Sequence, residues 1–369
     1  MEAEAILREL VSVLPGWFSG HARDLPWRRD REPYHVWLSE IMLQQTRVEA
    51  VKGYYARFLE AVPDLDALAD CDPELLHKLW EGLGYYSRVR NLQAAARQIR
   101  AEHGGVFPRD YPSVRALRGV GDYTAGAVCS ICFDLPTPAV DGNVLRVLSR
   151  LREDGRCTDD PAVRKAVRGE LAAVYPETGA GTLTQALMEL GATVCVPNGA
   201  PRCELCPMRA SCGACLHGSW QTYPVRAEKR PRRTEELTVF VLDCGGQFAI
   251  RRREDSGLLA GLWEFPHVPG HLDTQAAIDA AAAWGVRPAL PEKQLARTHV
   301  FTHITWKMRC YYLRCRARPD CFVWADRNAL DTVYALPTAF RMFRDEFPAE
   351  EEDTTIPLSG GTEHGIEGV

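Results

Sequence analysis

The sequence has no apolar run of the length that a membrane-spanning helix requires, about 20 residues. Its first ten residues, MEAEAILREL, include acidic side chains and no long apolar stretch, so they are not typical of a secretory signal. These absences argue against an integral membrane protein and against a secreted one. We therefore expect a cytoplasmic protein that has no membrane partner.

The chain also lacks an excess of positive charge, since its formal net charge is -5. The residues from 348 to 369 contain six acidic residues and no lysine or arginine. Removing those six from the total of 49 acidic residues leaves 43, against 44 basic ones, so the rest of the chain is close to neutral. DNA binding would then depend on local basic patches. We expect the segment 348–369 to be an acidic, disordered tail.

The chain lacks the even number of cysteines that is typical of a disulfide framework, since it has 13. In a cytoplasmic chain this favours a metal site together with free thiols. A length of 369 residues favours two domains over one core. We divide the chain into a helical domain (1–223), a basic linker (224–235), an α+β domain (236–347) and the acidic tail (348–369).

Hydrophobic periodicity supports this multidomain fold class, an all-α domain followed by an α+β domain. In the first domain it predicts helices at Val36–Ala61, Pro73–Leu83, Asn91–Ala101 and Asp122–Phe133. In the second it predicts a β-hairpin of Leu237–Asp243 and Gln247–Arg251, a helix at Thr274–Trp284 and a strand at Met308–Arg316.

Four cysteines have the spacing C-x7-C-x2-C-x5-C: Cys195, Cys203, Cys206 and Cys212. Prolines lie between them, which favours a loop over a core helix. Four thiolates grouped in this way suit zinc or an iron–sulfur cluster, and the spacing alone does not separate the two. Buried cysteines without a metal are the plain alternative. Cys215 lies close by as a spare thiol.

The octapeptide LRGVGDYT, residues 117–124, contains Gly119, Val120 and Gly121. Two glycines one residue apart allow a tight turn between helices. The helix that follows then points free N–H groups outward, which suits a DNA phosphate. An ordinary glycine-rich helix turn is the alternative for the octapeptide alone.

The cysteine spacing and this octapeptide together resemble the MutY family of adenine DNA glycosylases, in the helix-hairpin-helix superfamily that includes endonuclease III. The resemblance implies a [4Fe-4S] cluster on the four cysteines and double-stranded DNA with A:8-oxoG or A:G mispairs as partner. It implies base excision repair by removal of adenine, in a bacterial, nucleoid-associated protein that is monomeric. The gap between Cys195 and Cys203 is one residue longer than the family's C-x6-C.

Hydrolysis of an N-glycosidic bond needs a proton for the leaving base and a negative charge near the developing sugar cation, the work of two carboxyl groups in glycosidases. Glu40 is flanked by apolar residues on a predicted buried helix, which would raise its pKa as suits a general acid. Asp141, in VDGNV, is the second candidate. A surface glutamate and a turn or helix-cap aspartate are the alternatives from pattern alone.

The resemblance assigns these two roles and several lesser ones. SEIMLQQTRV matches the family's active-site helix, whose glutamate protonates adenine at N7, and VDGNV matches the segment whose aspartate stabilises the oxocarbenium ion. Asn143 and Tyr123 match residues that support this aspartate by hydrogen bonds. Residues matching the adenine pocket and the base pair are Trp27, Arg28, Gln185, Gln44, Gln45 and Thr46, and Tyr85 matches a residue wedged into the DNA. Core packing is the alternative for Tyr85 and for its neighbour Tyr86.

Tyr123 also bears on the reaction class. Superfamily members that cut the strand carry a lysine at the matching position, which forms a Schiff base. A tyrosine cannot form one, so we predict a monofunctional glycosylase. Two rival readings remain: an endonuclease III-like lyase acting on oxidised pyrimidines, and a non-catalytic DNA-damage binding protein.

The segment 257–266, GLLAGLWEFP, resembles the Nudix-like domain of MutY proteins. The predicted helix after it has one acid, so we expect loss of Mg²⁺-dependent hydrolysis and a role in binding. The resemblance implies that Phe301, Thr302 and His303 read 8-oxoguanine, with Thr302 in place of the family's serine. An exposed loop histidine is the alternative for His303. The basic residues Arg226, Lys229, Arg230, Arg232 and Arg233 contact phosphates or form a solvated linker.

Overall fold

The computed structural model describes residues 2–228, 231–344 and 346. Its first part is helical. The helices are α1 (Glu2–His21), α2 (Pro33–Leu43), α3 (Val48–Ala61), α4 (Leu65–Asp70), α5 (Pro73–Leu79), α6 (Ser87–His103), α7 (Tyr111–Ala116), α8 (Asp122–Phe133), α9 (Gly142–Arg152), α10 (Pro161–Ala172), α11 (Ala180–Thr193) and α12 (Gly213–Leu216). Within the described residues, no helix has the length and apolar character needed to cross a membrane.

The second part contains a mixed sheet with three helices. The strands are β1 (Arg233–Asp243), β2 (Phe248–Arg252), β3 (Trp263–Glu264), β4 (His267–Pro269), β5 (Pro288–Val300), β6 (Ile304–Cys315) and β7 (Val323–Ala325). The helices are α13 (Thr274–Ala283), α14 (Arg327–Thr332) and α15 (Thr338–Arg344). The strand order is β3-β2-β1-β6-β5, with β4 beside β1 and β7 beside β2. The fold class predicted from the sequence is therefore confirmed.

Strands β1 and β6 run parallel in the centre of the sheet, from Arg233 opposite Ile304 to Asp243 opposite Arg314. Val239 and Val241 face a core that includes helix α15, whereas Phe240 and Leu242 face a core that includes helix α13. Because both faces of the sheet are covered, β1 is buried as a continuous run instead of an alternating one.

One predicted helix is wrong. The sequence pattern favours a single helix over Val36–Ala61, but α2 ends at Leu43 and α3 begins at Val48. Gln45 adopts a left-handed backbone with φ of 60°, which stops the helix. The periodic pattern continues across the break because both helices bury apolar side chains in the same core.

The other predicted elements are confirmed with shifted ends, and the predicted β-hairpin is formed by β1 and β2. The linker differs from the prediction. Thr158 hydrogen-bonds the carbonyl of Val225 through its backbone N–H, at 3.0 Å, so the linker begins fastened to the helical part. Its last residues, from Arg233, belong to β1. Lys229, Arg230 and the predicted tail 348–369 lie outside the described residues.

The helical part has two main cores. One surrounds Trp37, Phe58 and Trp80, and it also contains Leu262 and Ala335 from the second part of the chain. The other joins α1 to α9, α10 and α11, and three of the four spaced cysteines pack against it. A cavity lies among residues of α2, α8, α9 and α11.

Candidate active site

A cavity of about 770 Å³ opens among α2, α8, α9 and α11. Most of the site residues predicted from the sequence line it: Trp27, Arg28, Glu40, Gln44, Gln45, Thr46, Gly119, Gly121, Tyr123, Asp141, Asn143 and Gln185. Residues up to 158 positions apart in the chain thus meet at one place. Val120 is instead buried in the core beside the cavity.

Glu40 reaches the cavity from α2, a helix that starts with Pro33 at its first position and is buried along most of its length. The side chain of Glu40 is buried, and Tyr123 donates a hydrogen bond to its Oε2 at 2.5 Å. Burial raises the pKa of Glu40 to about 7, although the hydrogen bond from Tyr123 acts in the opposite direction. The surface-glutamate alternative is therefore wrong, and the carboxyl group is suited to donate a proton near neutral pH.

Asp141 lies at the N-terminus of α9 as its capping residue. Its Oδ1 accepts the backbone N–H of Val144 at 2.8 Å, and its Oδ2 accepts the amide of Asn143 at 2.6 Å. The helix-cap interpretation is confirmed, and the capped carboxylate also lines the cavity, so its catalytic role stays a prediction. Burial raises its pKa above the ordinary value, while these two hydrogen bonds favour the ionised form.

Tyr123 does not support Asp141 as the resemblance implied. Its hydroxyl donates to Glu40, and the sulfur of Met188 lies 3.8 Å from the same oxygen. Asn143 supports Asp141, as expected, and its own carbonyl oxygen accepts Nη2 of Arg146 at 2.8 Å. The two carboxyl groups therefore have separate partners, a phenol for one and an amide for the other.

Sequence reasoning missed the buried ion group behind Arg28. Glu189 on α11 is fully buried and receives Arg23 at 2.6 Å and Arg28 at 2.8 Å. Burial alone would raise the pKa of Glu189, but the hydrogen bonds from the two arginines hold it below its ordinary value. The available signal was a single charged residue in an otherwise uncharged helix. Glu189 fixes the Arg28 guanidinium at the cavity wall.

Arg146 was also missed, and it joins the site to the cysteine loop. Its Nη2 contacts Asn143, and its Nε donates to the carbonyl of Cys195 at 2.7 Å. On the next turn of α9, Nη1 of Arg150 donates to Sγ of Cys195 at 3.4 Å. Helix α9 thus contacts both the catalytic candidate Asp141 and the first spaced cysteine.

The turn between α7 and α8 has the form that the sequence predicts. Gly119 has φ of 74°, and a Cβ there would lie 2.6 Å from Cβ of Asn91, so only glycine fits. Gly121 is the N-terminal cap of α8, and Asp122 is its first residue. The free backbone N–H groups at the N-terminus of α8 therefore lie beside the cavity.

A second cavity, also of about 770 Å³, lies between the helical part and the sheet part. It is lined by Gln45, Tyr85, Phe301, Thr302 and His303 among others. Tyr85 is 46% exposed, whereas Tyr86 is buried, so core packing applies to Tyr86 alone. The hydroxyl groups of Tyr85 and Thr302 are hydrogen-bonded at 2.7 Å across the two parts. His303 is exposed, and the ring of Phe301 packs against Trp306.

The four spaced cysteines line one small cavity together with Cys215, Arg150 and Trp220. Among the residues that the structure describes, no group of three or more His, Cys, Asp or Glu side chains is already placed to hold a metal ion. The spare thiol, Cys215, lies beside Cys203 in this cavity. The shared cavity and the loop setting nevertheless fit a group held by four thiolates.

The basic linker is partly engaged with acidic residues. Arg226 pairs with Asp159 at 3.0 Å, Arg233 pairs with Glu235, and Nε of Arg232 donates to the carbonyl of Thr302 at 3.4 Å.

The sheet part holds a buried Glu264 between Arg251 and Arg253. The only acid on α13 is Asp279, which accepts a hydrogen bond from Gln275 at 2.9 Å.

The sequence and the fold of this chain match known protein families. The family model of the HhH-GPD superfamily base excision DNA repair proteins matches residues 38–170, and that of the NUDIX domain matches residues 238–346. A solved thermostable thymine-DNA glycosylase superposes with a TM-score of 0.52 at 27% identity, over 58% of this chain and 98% of that one. A trapped endonuclease III–DNA covalent intermediate shares the fold, with a TM-score of 0.50 at 23% identity over the same shares of the two chains. The class is thus a helix-hairpin-helix DNA repair protein with a Nudix-like second domain.

The curated relatives narrow this class. The adenine DNA glycosylase of Mus musculus is 36% identical over 90% of this chain and 78% of its own length. That of Homo sapiens is 34% identical over 91% of this chain and 74% of its own length, and that of Schizosaccharomyces pombe is 32% identical over 87% and 82%. The chain therefore belongs to the adenine DNA glycosylase family, and it is a DNA N-glycosylase.

Proposed function

We propose that this protein hydrolyses the N-glycosidic bond of adenine mispaired with 8-oxoguanine or guanine in double-stranded DNA, and leaves an abasic site. The observation that carries the proposal is the pair of differently supported carboxyl groups in one cavity, Glu40 beside a phenol and Asp141 beside an amide. The relatives named adenine DNA glycosylase support adenine as the base that is removed.

Glu40 acts as the general acid. With a pKa of about 7, it is about half protonated at neutral pH, and the protonated form can pass its proton to N7 of an adenine in the cavity. Protonation weakens the bond between the base and the sugar, because the base then leaves as a neutral molecule. Tyr123 orients the carboxyl group through its hydrogen bond.

Asp141 acts on the sugar. As the base departs, positive charge develops at the sugar carbon, and an ionised Asp141 stabilises this oxocarbenium ion. The hydrogen bonds from Val144 and Asn143 favour the ionised form of Asp141 and hold its carboxyl group in a fixed position. Water then adds to the sugar, since Tyr123 stands where a lyase would carry its Schiff-base lysine.

The adenine pocket consists of Trp27, Arg28 and Gln185 at one end of the cavity. A base reaches such a pocket only after it has been flipped out of the double helix, which leaves a gap in the stack. The exposed ring of Tyr85 fills this gap as a wedge, and Gln44, Gln45 and Thr46 face the disrupted pair. The hairpin of Gly119, Val120 and Gly121 holds the DNA backbone with its free N–H groups.

The cavity between the two parts takes 8-oxoguanine. Phe301, Thr302 and His303 lie on the loop between β5 and β6, opposite Tyr85 and Gln45. Thr302 keeps the hydroxyl group of serine, so it retains both a donor and an acceptor for the oxidised base edge. The 236–347 domain thus serves to recognise the lesion. The single acid of α13 leaves the domain without the oxygen ligands that Mg²⁺-dependent hydrolysis would require.

The cysteine loop holds a [4Fe-4S] cluster on Cys195, Cys203, Cys206 and Cys212. A cluster held by four cysteines would fix the loop against α9, which also carries Asp141 at its N-terminus. The protein acts as a monomer on chromosomal DNA. In a bacterium it would therefore be located in the cytoplasm, at the nucleoid. No protein partner is assigned.

The deciding experiment is a single-turnover incubation with a labelled duplex that holds one A:8-oxoG pair, with an A:G duplex in parallel. We expect strand cleavage only after hot alkali, because an abasic site is cut by alkali and this protein has no lyase lysine. The rate should be higher with A:8-oxoG than with A:G. A duplex with a T:A pair in the same sequence is the control.

Two outcomes would contradict the proposal. Cleavage without alkali, with a borohydride-trapped adduct in high yield, would indicate an endonuclease III-like lyase. A protein that binds the duplex but produces no abasic site would instead be a damage-binding protein.

A further inference from the structure

Arg88, at the start of α6, joins the two places where the site would contact DNA. Its Nη1 donates to the carbonyls of Ile41 at 2.6 Å, Met42 at 3.2 Å and Gln44 at 2.7 Å. Its Nη2 donates to the carbonyls of Leu83 at 2.9 Å and Gly84 at 3.0 Å. One guanidinium therefore binds the C-terminal end of α2 and the loop before Tyr85.

The two segments need such a partner. The last carbonyls of a helix have no partner within the helix, and α2 ends abruptly because Gln45 is left-handed. The loop at Gly84 and Tyr85 is left-handed at both residues, with φ of 69° and 47°, so its carbonyls are also outside regular structure. The planar guanidinium offers five N–H groups in a fixed fork, which an ammonium group does not.

Arg88 is held in place by its own surroundings. Its guanidinium lies 5.3 Å from the ring centre of Trp80 and 5.6 Å from that of Tyr85. Burial lowers its pKa to about 10, so it still carries a charge at neutral pH. Its Nη1 and Nη2 groups are directed to backbone carbonyls, and its Nε is buried without a hydrogen-bond partner, so none of them is exposed to bind a DNA phosphate.

The contacts form a continuous path between the two cavities. Thr302 on the predicted lesion-reading loop is hydrogen-bonded to Tyr85, and Tyr85 lies in the loop bound by Arg88. Arg88 in turn binds the carbonyl of Ile41, the residue after Glu40. A shift of Tyr85 on contact with the DNA would therefore reach the end of the helix that carries Glu40.

We propose that Arg88 is a positioning residue that couples recognition of the base opposite adenine to the placement of Glu40. This inference rests on the function proposed above. It gives Arg88 a role in specificity that is separate from DNA affinity, because the residue acts through Tyr85 and α2 and does not itself contact DNA.

The test compares R88M, which keeps the length of the side chain and removes its donors, with R88K, which keeps the charge and three donors. Q93M is the matched control: Gln93 is on the same helix and also donates to backbone carbonyls, of Leu68 and Cys71, but lines neither cavity. Single-turnover excision rates are measured on A:8-oxoG and A:G duplexes. Affinity is measured on a duplex with a 2′-fluoro-adenosine that resists cleavage.

We expect R88M to lower the ratio of the A:8-oxoG rate to the A:G rate by about tenfold or more, as loss of a coupling between sites would. Affinity should change by less than about threefold, because no phosphate contact is lost. R88K should lie between R88M and the unaltered protein. Q93M should lower the melting temperature and leave the ratio unchanged.

An unchanged ratio in R88M, with a melting temperature lowered as in Q93M, would overturn the inference and leave Arg88 a purely structural role. If R88M does not fold, R88K decides, and an unchanged ratio in R88K would overturn it equally. The unaltered protein is measured first. Its failure to excise adenine would refute the proposed function itself, a result distinct from any change in the ratio.

Discussion

Glu40 has a cost in folding free energy in addition to its proposed chemical role. Its carboxyl group is buried with one hydrogen-bond donor, Tyr123, so the charged form loses much of its hydration on folding. Glu189, equally buried, differs because Arg23 and Arg28 both pair with it. One buried carboxylate is thereby kept ionised, whereas the other has a pKa of about 7, close to neutral pH, as the proposed proton transfer requires.

This contrast predicts a pH-dependent effect of E40Q on stability. The carboxyl group loses its proton near pH 4.5 in the unfolded chain and near pH 7 in the folded one. Between these values the folded state binds more protons, so the free energy of unfolding falls as the pH rises. Because glutamine does not titrate, E40Q should be more stable than the unaltered protein by about 3 kcal/mol above pH 7 and by little below pH 4.5.

Urea unfolding at pH 5 and pH 8 measures this difference. E49Q is the control for loss of one carboxyl group, since Glu49 is exposed on α3 and pairs with Lys52. E40Q should also lose base excision while still binding the mispaired duplex. Equal stability changes at the two pH values would show that burial does not set the protonation of Glu40.

At the scale of elements, the turns decide where the helices can meet. The α7–α8 turn brings Gly119 against Asn91 of α6, and the α2–α3 turn depends on the left-handed Gln45. Both turns border the active-site cavity, so their backbone shapes position the cavity walls. Arg88 belongs to the same scale, because it links the end of one helix to the loop before another.

The α7–α8 turn predicts different effects for two neighbouring glycines. G119A should lower the free energy of unfolding by about 1–3 kcal/mol, the usual cost of a strained backbone conformation, with a further loss from the close approach to Asn91. G121A is the matched control, since Gly121 has an ordinary φ of −92° and open space around its Cβ position. Thermal melting of both variants tests the difference, and equal melting temperatures would contradict it.

At the scale of the whole molecule, the two parts are joined by shared packing. Leu262 and Ala335 from the sheet part lie in the core of the helical part. Around them, Trp263 donates to Glu74 at 2.8 Å, and the backbone of Leu336 donates to Glu81 at 2.8 Å. Arg90 donates to the carbonyl of Ala260 at 2.8 Å. The cavity proposed for 8-oxoguanine therefore lies between surfaces that are fixed to each other.

This joint predicts that a substitution in the sheet part destabilises the helical part. L262A removes a fully buried side chain and should lower the free energy of unfolding by about 2–5 kcal/mol. L290A is the control, because Leu290 on β5 is 76% exposed. Calorimetry of the full chain measures both variants. A melting transition of the helical part that is unaffected by L262A would show that the two parts fold independently.

The sequence by itself determined the local features of this protein. Glycine spacing predicted the hairpin because glycine tolerates a φ above zero, and hydrophobic periodicity predicted several of the helices and strands because it follows from backbone geometry. The roles of Glu40, Asp141 and the cysteines came from the resemblance of short motifs to a known family, because the residue pattern alone left a surface glutamate, a helix cap and a zinc site open. Most of the predicted residues around the active-site cavity were found there.

Only the tertiary structure decided which distant side chains meet. Tyr123 bonds to Glu40 instead of Asp141, Glu189 holds Arg28, and Arg88 binds carbonyls that lie over 40 positions away in the chain. The break at Gln45 escaped the periodic pattern because both helices continue into one core. Such contacts depend on the packing of separate elements, and neither residue type nor spacing along the chain records that packing.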